Sequence, residues 1–242
     1  MKIKEIFAKL LTLGFYDPKW RCNGCGMEMF GDGFFCDKCE KELPYNNKTV
    51  CDHCGREIVN PAGYCSTCKE NMVSVDKARS VFKYAPPISG LIMKAKYDNG
   101  RYILDYFAEK LAFLYFNGFF RSETVCCVPM SAKRLKKRGY NQSEILAKKV
   151  SGKINVPFCD CVAKVKETER QAKLNRKERL KNLTDSFKVT DKKAVRGKNV
   201  LLVDDVSTTG ATAEAIALQL KKAGALRVHL ITVANVPPKD GY

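Results

Sequence analysis

The chain has 242 residues, 45% of them apolar, which is enough for one α/β domain and a small appended domain. Lysine and arginine number 43 against 26 acidic residues, so the formal net charge is +17. Such a charge favours polyanionic partners, polyphosphates or nucleic acids, although a basic surface without a specific partner is also consistent with it. No apolar run approaches the roughly 18 residues that a membrane span needs, so we expect no membrane insertion.

The N-terminal residues 1–20 are predicted to form a segment of their own. Apolar side chains recur at helical spacing over residues 1–15, but lysines and a glutamate interrupt them. This pattern indicates a short amphipathic helix and lacks the continuous apolar stretch of an export signal. We therefore expect a cytoplasmic protein, in which the 12 cysteines serve as thiols and metal ligands rather than in disulfides.

Residues 21–70 carry an internal repeat that predicts a double zinc ribbon. Both halves read C-x2-C-x10-C-x2-C, displaced by 29 residues. The eight cysteines are Cys22, Cys25, Cys36, Cys39, Cys51, Cys54, Cys65 and Cys68. Two such pairs close one tetrahedral four-sulfur site, so we expect two structural zinc ions, with iron or a redox dithiol as alternatives. Sequential pairing closes the shortest loops, and an interleaved pairing is also geometrically possible.

Closed four-sulfur sites are structural, so the ribbons are expected to stabilise a segment too short to bury much core. A further role in recognising nucleic acid or protein stays open. Gly26 and Gly55 follow the first Cys-x2-Cys pair of each repeat, where a positive φ is useful.

Residues 71–242 alternate predicted strands and helices, which implies a mostly parallel sheet. The predicted strands are 78–84, 125–128, 161–165, 200–203 and 227–233, and the predicted helices are 86–97, 102–116, 143–150 and 212–223. Ligands bind such sheets at the carboxyl ends of the strands. The remaining cysteines are interpreted as core residues: Cys126, Cys127, Cys159 and Cys161.

Two basic segments accompany these elements. The loop predicted over 129–138 offers Ser131, Lys133 and Arg134 as donors to an anion. Residues 167–183 are polar and basic enough to form a mobile flap over a ligand. Each run is equally typical of a solvated surface.

Residues 200–212, V-L-L-V-D-D-V-S-T-T-G-A-T, form the most specific motif. A buried strand feeds a helix through a small polar turn, where backbone N–H groups and the helix dipole attract a phosphate. We call residues 207–212 the anion loop; it comprises Ser207, Thr208, Thr209, Gly210, Ala211 and Thr212. Asp204 and Asp205 would repel a phosphate, but they can accept hydrogen bonds from ribose hydroxyls. The alternative is an ordinary βα turn with a threonine N-cap.

At these residues the chain resembles the type I phosphoribosyltransferases, which bind phosphoribosyl pyrophosphate (PRPP). The resemblance implies that fold, with Asp204 and Asp205 as catalytic ribose-binding acids and the anion loop around the 5′-phosphate. It also implies a pyrophosphate site at Ser131, Lys133 and Arg134, with Mg²⁺ held chiefly by PRPP. Purine-salvage members carry an acid three residues after the second carboxylate, where this chain has Thr208.

From end to end the motifs resemble the ComF-type competence proteins. They include the paired ribbons, the Lys96-Tyr97 step, K-R-L-K-K-R-G-Y-N-Q and the D-D-V-S-T-T-G-A-T loop. The resemblance implies a role in natural transformation, with single-stranded DNA and DNA-uptake proteins as partners. Met130-Ser131 departs from the family's Leu-His. Two functions follow as hypotheses: a PRPP-binding accessory of DNA uptake, or an active phosphoribosyltransferase of nucleotide or amine salvage.

Overall fold

A computed structural model describes residues 21–29, 33–46, 49–58, 63–65, 68–69, 74–97, 100–118, 120–166 and 183–236. The chain divides after Leu43 into two compact units. The helix predicted over 1–15 and nearly all of the flap predicted over 167–183 lie outside the described residues. Within the described ranges, no helix has the length and apolar character to cross a bilayer.

The unit that ends at Leu43 is organised around its cysteines. Arg21 pairs with Glu28 in an isolated antiparallel bridge, and helix α1 spans Asp37–Lys41. Helix α1 buries none of its side chains. The cysteines therefore hold together a segment with very little core of its own.

The larger unit is built on a four-stranded sheet in the order β1-β6-β5-β2, and all its neighbouring strands are parallel. These strands are β1 Lys77–Lys83, β2 Thr124–Cys127, β5 Asn199–Ser207 and β6 Arg227–Asn235. A separate antiparallel pair comprises β3 Val162–Lys164 and β4 Phe187–Val189. Strands β2, β5 and β6 are buried along most of their length because helices cover both faces of the sheet, whereas the edge strand β1 alternates in its first half.

Helices occupy both faces of the sheet. They are α2 Ile88–Tyr97, a 3₁₀ turn Gly100–Tyr102, α3 Ile103–Asn117, α4 Ala132–Arg138, α5 Gln142–Ile154 and α6 Ala211–Lys222. Helices α3 and α5 pack together and against the sheet, while α6 packs against β6 and β4. Leu202 lies in the core cluster beneath α6 together with Ile216 and Leu220, and all three side chains are fully buried. The result is the three-layered arrangement expected from alternating strands and helices.

Three elements differ from the sequence predictions. The strand predicted over 161–165 pairs with the unpredicted β4 instead of joining the main sheet. Strand β5 continues through both carboxylates to Ser207. Residues 132–138 form helix α4 where we predicted a loop, because its Lys, Arg and Leu residues favour helix. Ser131 caps its N-terminus by accepting a hydrogen bond from the N–H of Arg134, and Gly139 ends it with φ 83°.

Candidate functional site

The anion loop lies at the carboxyl end of β5, where β5 passes into helix α6. Gly210, the N-cap of α6, has φ 77° and no side chain with which to cap the helix. The Thr209 hydroxyl accepts a hydrogen bond from the N–H of Ala211, the first residue of α6, at 3.3 Å. The N-cap is therefore a glycine rather than a threonine, and the neighbouring Thr209 side chain binds the first N–H of the helix. The loop, the start of α6 and strands β5 and β6 enclose a hollow of about 40 Å³, lined in part by Ser207, Thr208 and Thr212. Whole ligand pockets measure about 300 Å³ or more, so this hollow is too small to enclose a whole ligand.

The two carboxylates stand beside the loop, within β5. Asp205 is 7% exposed, and its Oδ1 accepts a hydrogen bond from the N–H of Val206 at 2.8 Å. Asp204 Oδ1 accepts one from the N–H of Asp205 at 2.9 Å. Burial, together with the charge of Asp205, raises the pKa of Asp204 to about 8. The pair therefore carries less than its full negative charge near neutral pH.

Three side chains that we did not predict as site residues contact these carboxylates. Lys96 at the end of α2 places Nζ 2.6 Å from Asp205 Oδ2, and their side chains are only 18% and 10% exposed. Gln142 Nε2 donates to the same oxygen at 3.2 Å. Ser143 Oγ donates to Asp204 Oδ1 at 2.7 Å. The acids are thus held by the N-terminus of α5 and the C-terminus of α2.

Helix α5 begins at the acids because Asn141 anchors it. Asn141 Oδ1 accepts a hydrogen bond from the N–H of Ser143, and its Nδ2 donates to the carbonyl of Val128 at 3.0 Å. Val128 follows β2, the neighbour of β5 in the sheet. The motifs Lys96-Tyr97 and G-Y-N-Q were recognised in the sequence as part of a family resemblance, but spacing alone assigned them no partner.

A second layer of cations and aromatic rings surrounds this cluster. Arg138 donates from Nη1 to Gln142 Oε1 at 2.5 Å and from Nη2 to the Tyr97 hydroxyl at 3.2 Å. Its guanidinium also lies 4.9 Å from the centre of the Tyr97 ring. Arg101 lies 4.5 Å from the centre of the Tyr140 ring. The site edge thus combines positive charge with aromatic faces.

The predicted pyrophosphate residues lie at the same edge of the sheet. Strands β2 and β5 are adjacent, with Cys127 opposite Val203, so the start of α4 follows the sheet edge at which Asp204 stands. Ser131 is buried and caps α4, whereas Lys133 and Arg134 are exposed on its first turn. The two cations are open to an incoming anion, but the Ser131 hydroxyl already serves the helix.

The eight repeated cysteines come together in two groups, in the sequential pairing. One group holds Cys22, Cys25, Cys36 and Cys39, the other Cys51, Cys54, Cys65 and Cys68, with all sulfur atoms of a group within 4.8 Å. Sulfur atoms bound to one tetrahedral zinc lie about 3.8 Å apart, given Zn–S bonds of about 2.3 Å. The Cys25–Cys36 and Cys54–Cys65 separations of 3.9 and 3.7 Å fit this geometry.

Backbone N–H groups favour a thiolate at one cysteine of each group, Cys22 and Cys51. The N–H groups of Gly24 and Cys36 lie 3.3 Å from Cys22 Sγ, and that of Cys65 lies 3.3 Å from Cys51 Sγ. Burial opposes ionisation of Cys51, but backbone hydrogen bonds outweigh it and lower its pKa to about 7. Gly26 and Gly55 have φ of 74° and 68°, as the turn prediction requires. The two groups suggest structural zinc sites, which zinc would close without an open coordination position.

The remaining cysteines belong to the core, as predicted. Cys126 and Cys161 lie in the buried cluster beneath α6, and Cys159 packs against it. Cys127 is 3% exposed, and burial is the main cause that raises the pKa of its thiol. His53 is not in either sulfur group; its ring stacks on that of Tyr64 at 4.9 Å.

Comparison with known proteins agrees with this architecture. A phosphoribosyl transferase domain matches residues 137–240, and a double zinc ribbon domain matches residues 15–70. The competence protein F of Haemophilus influenzae is 31% identical over 222 residues, which cover 88% of this chain and 84% of that protein. The chain belongs to the ComF family of competence proteins. The DNA utilization protein YhgH of Escherichia coli is 29% identical over 157 residues, covering 62% of this chain and 68% of that protein.

The ComF assignment confirms the predicted fold class, a type I phosphoribosyltransferase fold with a mostly parallel sheet and an N-terminal Cys-rich double zinc ribbon. Among solved structures, the glutamine PRPP amidotransferase of Bacillus subtilis is 18% identical over 59% of this chain and 30% of that protein, with a TM-score of 0.42. The predicted domain limits 1–20, 21–70 and 71–242 stay predictions. The division after Leu43 places the second cysteine group in the same compact unit as the sheet.

Proposed function

We propose that this ComF-family protein binds PRPP at the carboxyl end of β5 and acts in the handling of transforming DNA. The observation that carries the proposal is the placement of two acids on β5 beside a polar loop that enters α6 through Gly210. The loop provides N–H groups for the 5′-phosphate, and the acids provide acceptors for ribose hydroxyls.

The charges around the site support a substrate with two anionic ends. In the proposal, the small hollow at the anion loop, lined in part by Ser207, Thr208 and Thr212, receives the 5′-phosphate. Lys133 and Arg134 lie exposed on the first turn of α4, after the neighbouring strand, where a pyrophosphate would need donors. Mg²⁺, held chiefly by the pyrophosphate oxygens, would offset their negative charge.

Asp204 and Asp205 have distinct tasks in this proposal. Among the described residues, no donor reaches Asp204 Oδ2, so that oxygen is available to a ribose hydroxyl. Asp205 shares its Oδ2 with Lys96 and Gln142, which fix its orientation and offset its charge beside the phosphates. Positioning of this kind is the main contribution that a protein makes to displacement at an anomeric carbon.

Isothermal titration of zinc-replete protein with PRPP and Mg²⁺ tests this proposal. We expect saturable binding to the wild type and none to D204N/D205N at the same concentrations. Equal zinc content and circular dichroism of the two proteins would establish that the double variant is folded. Equal PRPP binding by both proteins, or no binding by the wild type at millimolar PRPP, would contradict the proposal.

Binding of single-stranded DNA is the second part of the proposal. The names of the relatives, a competence protein and a DNA utilization protein, support it. So does α4, a seven-residue helix with no buried side chain that carries five cations. They are Lys133, Arg134, Lys136, Lys137 and Arg138. We place this activity in the cytoplasm, since none of the 12 cysteines forms a disulfide and eight of them form two groups that suit zinc.

Fluorescence anisotropy with labelled single-stranded DNA at several salt concentrations tests this part. Each phosphate contact contributes about 0.7 to the slope of log affinity against log salt. Wild-type protein should therefore give a slope of several units, and K136A/K137A should reduce it by about 1.4 if each lysine contacts one phosphate. Failure to bind near about 50 mM salt would exclude the DNA part while leaving PRPP binding intact.

Phosphoribosyl transfer to a base or amine is the second candidate function. The observations that favour it are the match of residues 137–240 to a phosphoribosyl transferase domain and the presence of both acids, Asp204 and Asp205, at the end of β5. Release of pyrophosphate from PRPP in the presence of candidate bases or amines would establish transfer. Binding without release, for every acceptor tried, would leave the binding role alone.

A further inference from the structure

The turn that contains the first two cysteines of the second group contacts the anion loop through Arg56. Arg56, two residues after Cys54, donates from Nη2 to the carbonyl oxygen of Thr209 at 2.8 Å. Thr209 lies in the middle of the anion loop, one residue before the Gly210 N-cap of α6. A side chain from the turn that follows a cysteine pair thus fixes the main chain of a loop that is 153 residues away in sequence.

A second, indirect attachment connects the same turn to the start of the loop. The carbonyl oxygen of Gly55 accepts a hydrogen bond from Asn235 Nδ2 at 3.2 Å. Asn235 ends β6 directly opposite Ser207 of β5, and the next residue, Val236, donates its N–H to the Ser207 carbonyl at 2.9 Å. Ser207 is the first residue of the anion loop. The turn is therefore attached to the loop directly at Thr209 and indirectly at Ser207, through Asn235 and Val236.

The turn itself is held rigidly against β1. Arg79 Nη1 donates to the carbonyls of Cys51 and Asp52 at 3.2 and 3.0 Å. Gly55 packs so closely that a Cβ atom there would lie 2.5 Å from the carbonyl oxygen of Ala78. Four cysteine ligands in one group would add a covalent framework behind this turn when metal is bound.

We propose that the turn of the second cysteine group is a brace for the anion loop, with Arg56 as a positioning residue that sets the direction of the loop N–H groups. Residues 51–56 then contribute to phosphate binding without touching the phosphate. The affinity consequence of this proposal rests on the proposed PRPP site, whereas the mechanical coupling between Arg56 and the loop does not. The brace gives the second group a task beyond stabilising its own ribbon.

Hydrogen–deuterium exchange tests the coupling without any ligand. In R56A the peptide covering residues 206–211 should exchange faster than in the wild type, because one hydrogen bond to the loop backbone is lost. R56K, which retains a cation of similar reach, should restore part of the protection. R21A is the matched control. Arg21 precedes Cys22 of the first cysteine group, and its guanidinium forms an exposed ion pair with Glu28 at 3.7 Å.

PRPP titration supplies the second readout. R56A should bind PRPP about tenfold more weakly, the effect of one hydrogen bond from a charged donor, while zinc content and unfolding temperature match those of R21A. Faster loop exchange in R56A with no PRPP binding by the wild type would support the brace and refute the PRPP proposal. Unchanged loop exchange in R56A would overturn the brace, whatever the PRPP affinity.

Discussion

Replacing Asp204 by asparagine should stabilise the protein, and the gain should grow as the pH rises. The pKa of Asp204 is raised to about 8 in the folded protein, against about 3.9 in an unfolded chain. Between these values the folded state holds a proton that the unfolded state has released. The free energy of unfolding of the wild type therefore falls with rising pH, whereas the amide of D204N does not titrate.

The magnitude follows from the two pKa values. When a group is protonated only in the folded state, the free energy of unfolding falls by up to about 1.4 kcal/mol for each unit by which the pH rises. From about pH 5.5 to 7.5 the advantage of D204N should thus grow by up to about 3 kcal/mol. An amide oxygen can still accept from Ser143 Oγ and from the N–H of Asp205, which are 2.7 and 2.9 Å from Oδ1. Titration of the cysteines affects both proteins equally and cancels in the difference.

Urea denaturation of wild type and D204N at several pH values measures this difference. D205N is the contrasting variant, because Asp205 accepts from Lys96 at 2.6 Å and its loss leaves a half-buried ammonium without its partner. D205N should therefore be less stable than the wild type across the same range. A D204N advantage that does not change with pH, or a loss of stability in D204N near pH 7.5, would refute the reasoning.

Three further predictions concern the framework of the site. K96A should lower the free energy of unfolding by about 3 kcal/mol in urea denaturation, since it leaves the buried Asp205 carboxylate without its cationic partner. An unchanged value would mean that Lys96 and Asp205 do not pair in solution. G55A should lower it by about 2 kcal/mol or more and reduce zinc retention against a chelator, because Gly55 has φ 68° and no room for a Cβ. L202A should lose about 2–5 kcal/mol in the same assay, as Leu202 is fully buried; a loss below about 1 kcal/mol would contradict this packing.

Local patterns predicted much of the fold. The apolar run before Asp204 is the central strand β5, and the cysteine spacing gives two groups of four. Both depend on neighbours in the chain: four consecutive apolar residues bury themselves, and a C-x2-C pair can bind one ion. Helix α4 was predicted as a loop because its run of cations resembled a solvated segment. Its cap at Ser131 and its end at Gly139 are sequence signals that favour a helix.

Strand partners were harder to predict than strands. The segment near Val162 is a strand, as its composition indicates, yet it pairs with the three-residue β4 outside the main sheet. A strand that short leaves almost no periodic signal in the sequence. Pairing depends on which strand edges the tertiary structure brings together, and this information is not local.

The sequence by itself determined the chemistry of the site: two acids, a polar glycine-containing turn before a helix, and two sets of four thiols. Only the tertiary structure decided which distant groups act on them. Gln142 reaches Asp205 across 63 residues, and Arg56 reaches Thr209 across 153. Such contacts leave no period or spacing in the chain, because they arise where parallel strands bring their carboxyl ends to one edge and separate loops meet there.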